Sequence, residues 1–269
     1  LALDGLIRTL LFTLRARAEE HARVDAILTD PLAAAWYARL EPPPDALQAL
    51  AAAYSPIFQL GTAVRAHLYD LLTADFLAAH PRGMVVELGA GLTTRYYRLG
   101  RPSTPWIELD LPPAIELRRT FETETAVHRC LPCSMLDPAW PARLPPHAPQ
   151  DLLLLAEGVL FFLDPAEIRA LFALLGRHFP GAAVALDYLT PRFSPKARAL
   201  FASVDAPMRW LVTDAAAELA ALGLYVHDRQ VVTHHFLPRW EALGFPRQHL
   251  LAGEGNVVIR GSIEAGVLR

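Results

Sequence analysis

Between Met84 and Tyr188 the chain alternates short apolar runs with amphipathic segments, which predicts an α/β fold with a doubly wound, mostly parallel sheet. Two further observations agree. Met84 to Leu88 runs directly into Gly89-Ala90-Gly91, the strand, tight turn and helix start of a ligand-binding crossover. Polar residues then recur where successive strands end, at Glu87, Asp110, Ser134, Glu157 and Asp187, and open parallel sheets bind their ligands at that rim.

Ahead of the sheet, Leu3 to Tyr37 carries apolar residues at helical spacing (Leu3, Leu6, Ile7, Leu10, Leu11, Leu14, Ala18). Asp30-Pro31 starts a second helix there, since proline is tolerated in a first turn. These helices are expected to cap one end of the sheet. Glu41 to Asp45, with three consecutive prolines, reads as a rigid connector. Gly61 to Ala79 is helical, with Val64, Leu68, Leu71, Leu72 and Phe76 on one side. Arg65 and Asp70 lie off that stripe, and because this helix leads into the glycine-loop strand, Arg65 can reach a ligand's carboxylate.

Five strands are predicted, over Met84–Leu88, Trp106–Asp110, Ala126–Pro132, Asp151–Ala156 and Ala182–Leu186. The fourth is apolar beyond its first residue, as expected where helices cover both faces. Helices are predicted over Pro112–Phe121, Pro165–Phe179 and Asp214–Leu222. Leu189 to Trp210, rich in Pro, Arg and Phe, interrupts the alternation as an insertion above the rim, where substrate contacts are expected. Tyr225–Val232 and Gly255–Ile259 read as an antiparallel pair at the sheet edge. The expected organisation is a helical cap over residues 1–80 and a ligand-binding core over 81–269, with the insertion at 189–212.

With 269 residues, the chain can bury about three quarters of its unfolded surface. Hydrophobic residues are 53%, charged residues 20% and the net charge is -3, values that favour neither disorder nor a nucleic-acid partner. Arginine supplies nearly all the positive charge, Lys196 being the only lysine, a bias typical of a GC-rich genome. Cys130 and Cys133 have no distant partners to complete a zinc site and read as reduced cysteines of a cytosolic protein. The longest apolar run, Leu152 to Leu163, is broken by Glu157 and is too short to cross a bilayer. His234 and His235 point opposite ways in an extended segment, which disfavours a shared metal. No membrane partner and no metal are expected.

Gly89 and Gly91 allow a ligand to lie against the main chain. The dinucleotide fingerprint would need a third glycine where Thr94 stands. Asp110 leaves the second strand nineteen residues after Gly91, a distance at which an acid can accept both ribose hydroxyls of an adenosine. Glu87 suits an amino-bearing ligand better than a phosphate, which it would repel. Together these favour S-adenosylmethionine over NAD or a nucleoside triphosphate.

The chain resembles the leucine carboxyl methyltransferase family, and within it the branch of bacterial polyketide O-methyltransferases of tetracenomycin type. The motifs carrying the resemblance are Arg15-Ala16-Arg17-Ala18-Glu19 with Asp30-Pro31, Val64-Arg65-Ala66 with Asp70, Val86 to Leu92, Glu108-Leu109-Asp110-Leu111-Pro112, Cys133-Ser134-Met135-Leu136-Asp137 with Trp140, and Glu157-Gly158-Val159-Leu160. The resemblance implies a class I methyltransferase fold, a Rossmann-like, mostly parallel seven-stranded sheet, with S-adenosyl-L-methionine as cofactor. It implies that Arg65 holds the methionine carboxylate, that Gly89, Ala90 and Gly91 pass under the methionine part and that Asp110, with Leu111 beside it, binds the ribose. Ser134 and Met135 would then flank the adenine, and Glu157, with Gly158, would meet the amino-acid end. Thr93 stands where the family has aspartate. Its hydroxyl can still cap the following helix, but a charge near the cofactor is lost.

A sulfonium methyl donor is already activated, so the protein must chiefly align the acceptor and exclude water; no catalytic residue is expected. A carboxylate acceptor, of pKa about 4, is ionised at neutral pH, whereas a phenol, of pKa about 10, needs a base. His67 and His128 are the nearest histidines in sequence and read as structural. The expected reaction is therefore O-methylation of a small-molecule acid, oriented by Arg192, Arg198 or Arg209 between Tyr188 and Trp210. The alternatives are hydroxyl or phenol methylation, methylation of a protein C-terminus, a non-catalytic S-adenosylmethionine-binding protein, and a dinucleotide oxidoreductase.

Overall fold

The computed structural model describes residues 5–40 and 54–264. The expected connector at Glu41 to Asp45 lies outside the described residues, as does Leu3. Helices α1 (Gly5–His21), α2 (Pro31–Arg39) and α3 (Pro56–Ala79) precede the first strand. The sheet then follows as β1 (Met84–Leu88), β2 (Trp106–Asp110), β3 (His128–Pro132), β4 (Leu152–Ala156), β5 (Ala183–Leu189), β6 (Leu224–Val231) and β7 (Asn256–Ile263). Its order is β3-β2-β1-β4-β5-β7-β6. Strands β1 to β5 run parallel, and β7 is antiparallel to both β5 and β6. This is the seven-stranded, mostly parallel α/β architecture expected from the sequence.

Period-two alternation divides the strands between two apolar layers. Val86, Ile107, Leu154 and Val184 meet α6 (Pro165–His178) through Ile168, Leu171, Phe172 and Leu175. Their neighbours Val85, Trp106, Leu153 and Ala185 meet α3 through Leu60, Val64, Leu68 and Phe76. Each fully buried side chain of this size contributes roughly 1.5–3 kcal/mol, so both layers are strongly held.

Helix starts follow capping chemistry. Asp164 and Glu167 form a complete capping box ahead of Pro165. Ser55 accepts from the Phe58 amide with Pro56 in the first turn, so α3 begins five residues before the predicted Gly61. The apolar stripe alone did not reveal that earlier turn. Strand β5 is also longer than predicted, because antiparallel pairing with β7 continues to Leu189↔Asn256. Asp187 and Tyr188 are thereby drawn into the strand and fully buried. After the glycine loop, α4 (Arg95–Arg98) has only four residues, and α5 (Pro112–Arg119) follows β2. The N-cap position of α4 is Thr94, which makes no side-chain cap hydrogen bond, and the Arg95 amide of the first turn donates to the Thr93 hydroxyl at 3.4 Å.

Candidate active site

A cavity of about 380 Å³ opens beyond the carboxyl ends of β1, β2 and β4. Its floor is the loop after β1, where Gly89 (φ 69°) and Gly91 (φ 54°) take left-handed conformations. The loop is pinned at several backbone groups. The Gly91 amide donates to Asp110 Oδ2 at 2.6 Å, while the Gly91 carbonyl accepts from Arg118 at 3.0 Å. Arg17 of α1 donates to the Leu92 carbonyl at 2.6 Å. Helix α1 also forms part of the roof, through Thr9, Leu10 and Thr13.

Asp110 accepts from the Gly91 amide with Oδ2 and from the Leu111 amide with Oδ1, at 2.6 and 2.7 Å. Burial raises its carboxyl above the ordinary value despite these donors. At the end of β4, Gly158 (φ 68°) lies so close to Arg65 that a Cβ there would fall 2.6 Å from the guanidinium Nη2. The Gly158 amide donates to Asp187 Oδ1 at 2.6 Å. Tyr69 donates to the Ala156 carbonyl at 2.8 Å, and its hydroxyl is 3.1 Å from the same Asp187 oxygen.

A network of arginines and carboxylates lies behind the loop. Arg95 is wholly buried, with Nη1 2.6 Å from Glu87, Nε 3.0 Å from Asp70 and Nη2 paired to Glu157. Arg65 bonds Glu157 at 3.1 Å and stands 3.6 Å from Asp187. Arg98 joins Asp70 to Asp30, which also holds Arg17. Burial acts to raise the Glu157 carboxyl, but Arg95, Arg65 and Arg17 bring it down to about 2. Burial dominates at Glu87, which is pushed up to about 8 against the pull of Arg95. Its Oε1 is buried without a hydrogen-bond partner among the described residues.

Arg65, Glu87, Gly89, Ala90, Gly91, Asp110, Leu111, Ser134, Met135, Glu157 and Gly158 all line this one cavity. The residues expected to meet substrate are dispersed. Of these, Arg209 alone lines the cavity. Tyr188 is buried in the sheet, its hydroxyl accepting from Arg229 at 3.1 Å, because β5 runs on past the rim. Trp210 packs into the apolar layer with Val212 and Leu222. Arg192 donates to the Ala252 carbonyl at 2.9 Å, and Arg198 sits on α7 (Pro195–Ala202); neither lines the cavity. Asp187 stands behind Arg65 and Gly158 instead of lining the cavity.

Sequence reasoning passed over Arg95, Arg17 and Arg98. Their signal was present in Thr93-Thr94-Arg95 and Arg15-Ala16-Arg17, but the distant carboxylates that make them structural become neighbours only in the fold. Both cysteines are buried and unpaired; Cys133 lines the cavity, and burial raises both thiols. Among the described residues no group of three or more His, Cys, Asp or Glu is arranged to hold a metal, and no helix is long and apolar enough to cross a membrane.

Two comparisons with known sequences bear on this site. Tetracenomycin polyketide synthesis O-methyltransferase TcmP from Streptomyces glaucescens is 30% identical over 190 residues, which cover 70% of this chain and 68% of the relative. A provisionally named S-adenosyl-L-methionine-dependent methyltransferase from Mycolicibacterium vanbaalenii is 32% identical over 210 residues, 73% of this chain and 66% of that protein. The chain thus spans about two thirds of the length of these curated relatives. A DUF574-family protein from Streptomyces avermitilis has a similar fold, with a TM-score of 0.63 at 16% identity, over 93% of this chain and 97% of that one. The leucine carboxyl methyltransferase family model matches residues 10–176, which reach from the roof of the cavity through its glycine loop and carboxylate rim into α6, and the chain accordingly belongs to that family of S-adenosylmethionine-dependent methyltransferases.

Proposed function

We propose that this chain methylates a carboxylate oxygen of a small organic acid and that the residues of the glycine-loop cavity hold the cofactor. Two features of the cavity suit the amino-acid end of S-adenosylmethionine. Glu87 Oε1 is a buried acceptor without a partner, matched to an ammonium group. Gly158 leaves open the face of Arg65, whose guanidinium suits a carboxylate. Gly89, Ala90 and Gly91 would pass beneath the methionine part and Asp110 would accept from the ribose. Leu111, Ser134 and Met135 would lie along the adenosine. Glu157 keeps Arg65 and Arg95 in register between them. When bound, the cofactor supplies a methyl group already activated on a sulfonium. The chain's own task is to orient the acceptor oxygen and exclude water, which Leu10 and Thr13 of the roof and Phe162 and Leu163 of the wall favour.

The carboxylate reading rests on Arg209. It lines the cavity, holds no ion pair among the described residues, and can present paired donors to an acid. No histidine, lysine or tyrosine occurs among the described lining residues, which supports an acceptor that needs no base. A hydroxyl acceptor is the second reading, favoured by the carboxylates of Glu167 and Asp205 on the same wall. Assays with labelled cofactor should give turnover with carboxylic acids and little with phenols of equal size; the reverse order would transfer the reaction to hydroxyls. In Arg209→Ala, KM for the acid should rise roughly 10- to 100-fold, the loss of a charge-assisted hydrogen bond of about 1.5–3 kcal/mol.

Protonation of Glu87 gives an independent check. With the ligand-free carboxyl pushed up to about 8, it is largely protonated at pH 7, and an ammonium against Oε1 should lower it. Binding of S-adenosylhomocysteine at pH 7 should therefore release protons, and affinity should rise as pH approaches 8. Calorimetry in buffers of different ionisation enthalpy measures this directly. The release should disappear in Glu87→Gln; identical heats in every buffer would place the ammonium elsewhere.

A further inference from the structure

Two opposite charges at the acceptor end of the cavity do not neutralise each other. Asp205 and Arg209 both line it with side chains exposed to solvent, and among the described residues no ion pair joins them and the Asp205 carboxylate accepts no hydrogen bond. Their backbone positions are fixed from both sides. Val204 and Ala206, flanking Asp205, are buried in an aromatic cluster with Phe201 and packed against Phe58, Phe162 and Met208. The Arg209 amide donates to the Phe161 carbonyl at 2.7 Å, and Trp210 beside it is buried. Asp205 is also held at φ 59°, a left-handed conformation uncommon for any residue with a Cβ. Burial of its neighbours maintains that conformation and leaves the carboxylate at the cavity.

We propose that Asp205 and Arg209 together recognise an acceptor carrying a carboxylate and a hydrogen-bond donor on the same small molecule, with an ammonium as the preferred donor. This rests on the carboxylate reading above and narrows it. Charge balance selects the ammonium. Glu167 lies on the same wall with its Oε2 accepting the Asp164 amide at 2.8 Å, so among the residues lining this wall one guanidinium, Arg209, faces the two carboxylates of Asp205 and Glu167. Asp164 also feels the Arg209 charge without pairing to it. A simple anionic acid would add a second uncompensated negative charge, whereas an acid bearing an ammonium adds none. Four residue steps place the two Cα atoms at most about 14 Å apart, so one small molecule can touch both side chains.

The test is calorimetric titration of the protein saturated with S-adenosylhomocysteine, using benzoate, 3-hydroxybenzoate and 3-(aminomethyl)benzoate as probes. The ammonium-bearing acid should bind at least 10-fold more tightly than benzoate, with the hydroxy acid between them. In Asp205→Asn the ammonium preference should collapse to within about 2-fold while the hydroxyl preference persists. In Asp205→Gly, which accepts the left-handed backbone without strain, both preferences should vanish; unchanged thermal unfolding would exclude misfolding as the cause. Equal affinity for the three probes in the parent protein, or an ammonium preference surviving in both variants, would overturn the proposal while leaving carboxylate methylation standing. Failure to bind or methylate any acid would remove both.

Discussion

Asp110→Ala should abolish measurable binding of S-adenosylmethionine and S-adenosylhomocysteine, with affinity falling by two orders of magnitude or more. Under the proposed assignment Asp110, which lines the cavity, accepts from the cofactor's ribose, and charge-assisted hydrogen bonds contribute about 1.5–3 kcal/mol each. The same carboxylate receives the Gly91 and Leu111 amides, so its removal also releases the floor of the cavity. Asp110→Asn keeps an oxygen acceptor for one of those amides and should recover part of the affinity. Calorimetric titration of both variants measures this, with thermal unfolding as the control. Retained tight binding in a folded Asp110→Ala protein would remove Asp110 from the ribose contact.

The largest stability effect is expected at Arg95. Arg95→Leu leaves Asp70, Glu87 and Glu157 without their common partner, and breaking a buried ion pair from one side costs about 3–5 kcal/mol. That should lower the thermal midpoint by roughly 6–20 °C. Arg95→Lys keeps the charge but cannot reproduce a three-way fork, and should fall between the two. The pH dependence adds a signature. Glu157, brought down to about 2 in the folded state, contributes stability that is present above its unfolded pKa near 4.5 and is lost as pH falls towards 2. Glu87, pushed up to about 8, acts oppositely: between about 4.5 and 8 the folded state holds the extra proton, so stability declines as pH rises. Removing Arg95 should raise both carboxyls, weakening the first contribution and enlarging the second. Denaturant unfolding of parent and Arg95→Leu between pH 3 and 9 should therefore show the variant's deficit growing as pH rises. A deficit independent of pH would mean that Arg95 acts through packing alone.

Much of the glycine-loop cavity was legible because local sequence constrains it. A strand that must be followed by left-handed backbone calls for glycine, and an acid at the end of the next strand has little freedom to point elsewhere. Glu87, Gly89, Gly91, Asp110 and Glu157 could therefore be assigned to one rim from spacing alone, and all of them line one cavity. The residues expected to meet substrate lie in the insertion or, for Tyr188, just before it, where composition offers no period or register to orient them. Tyr188 and Trp210 are buried in the sheet layer, Arg192 reaches the Ala252 carbonyl, and Arg198 lies away from the cavity, so Arg209 alone lines it.

Strand alternation and chain order determined the parallel α/β core and the side on which a ligand binds, because parallel crossovers leave few topologies open. The insertion of β7 between β5 and β6 needed the tertiary structure, as did the burial of Asp187 and Tyr188 that follows from it. So did the Arg95 network, whose carboxylates come from α3, β1 and the end of β4 and lie 8 to 62 residues away in the chain. Hydrophobic periodicity acts over a few residues and is readable from the chain itself. A buried charge is satisfied by whichever opposite charge the fold brings within about 3 Å, and its partner carries no mark of that role in the sequence.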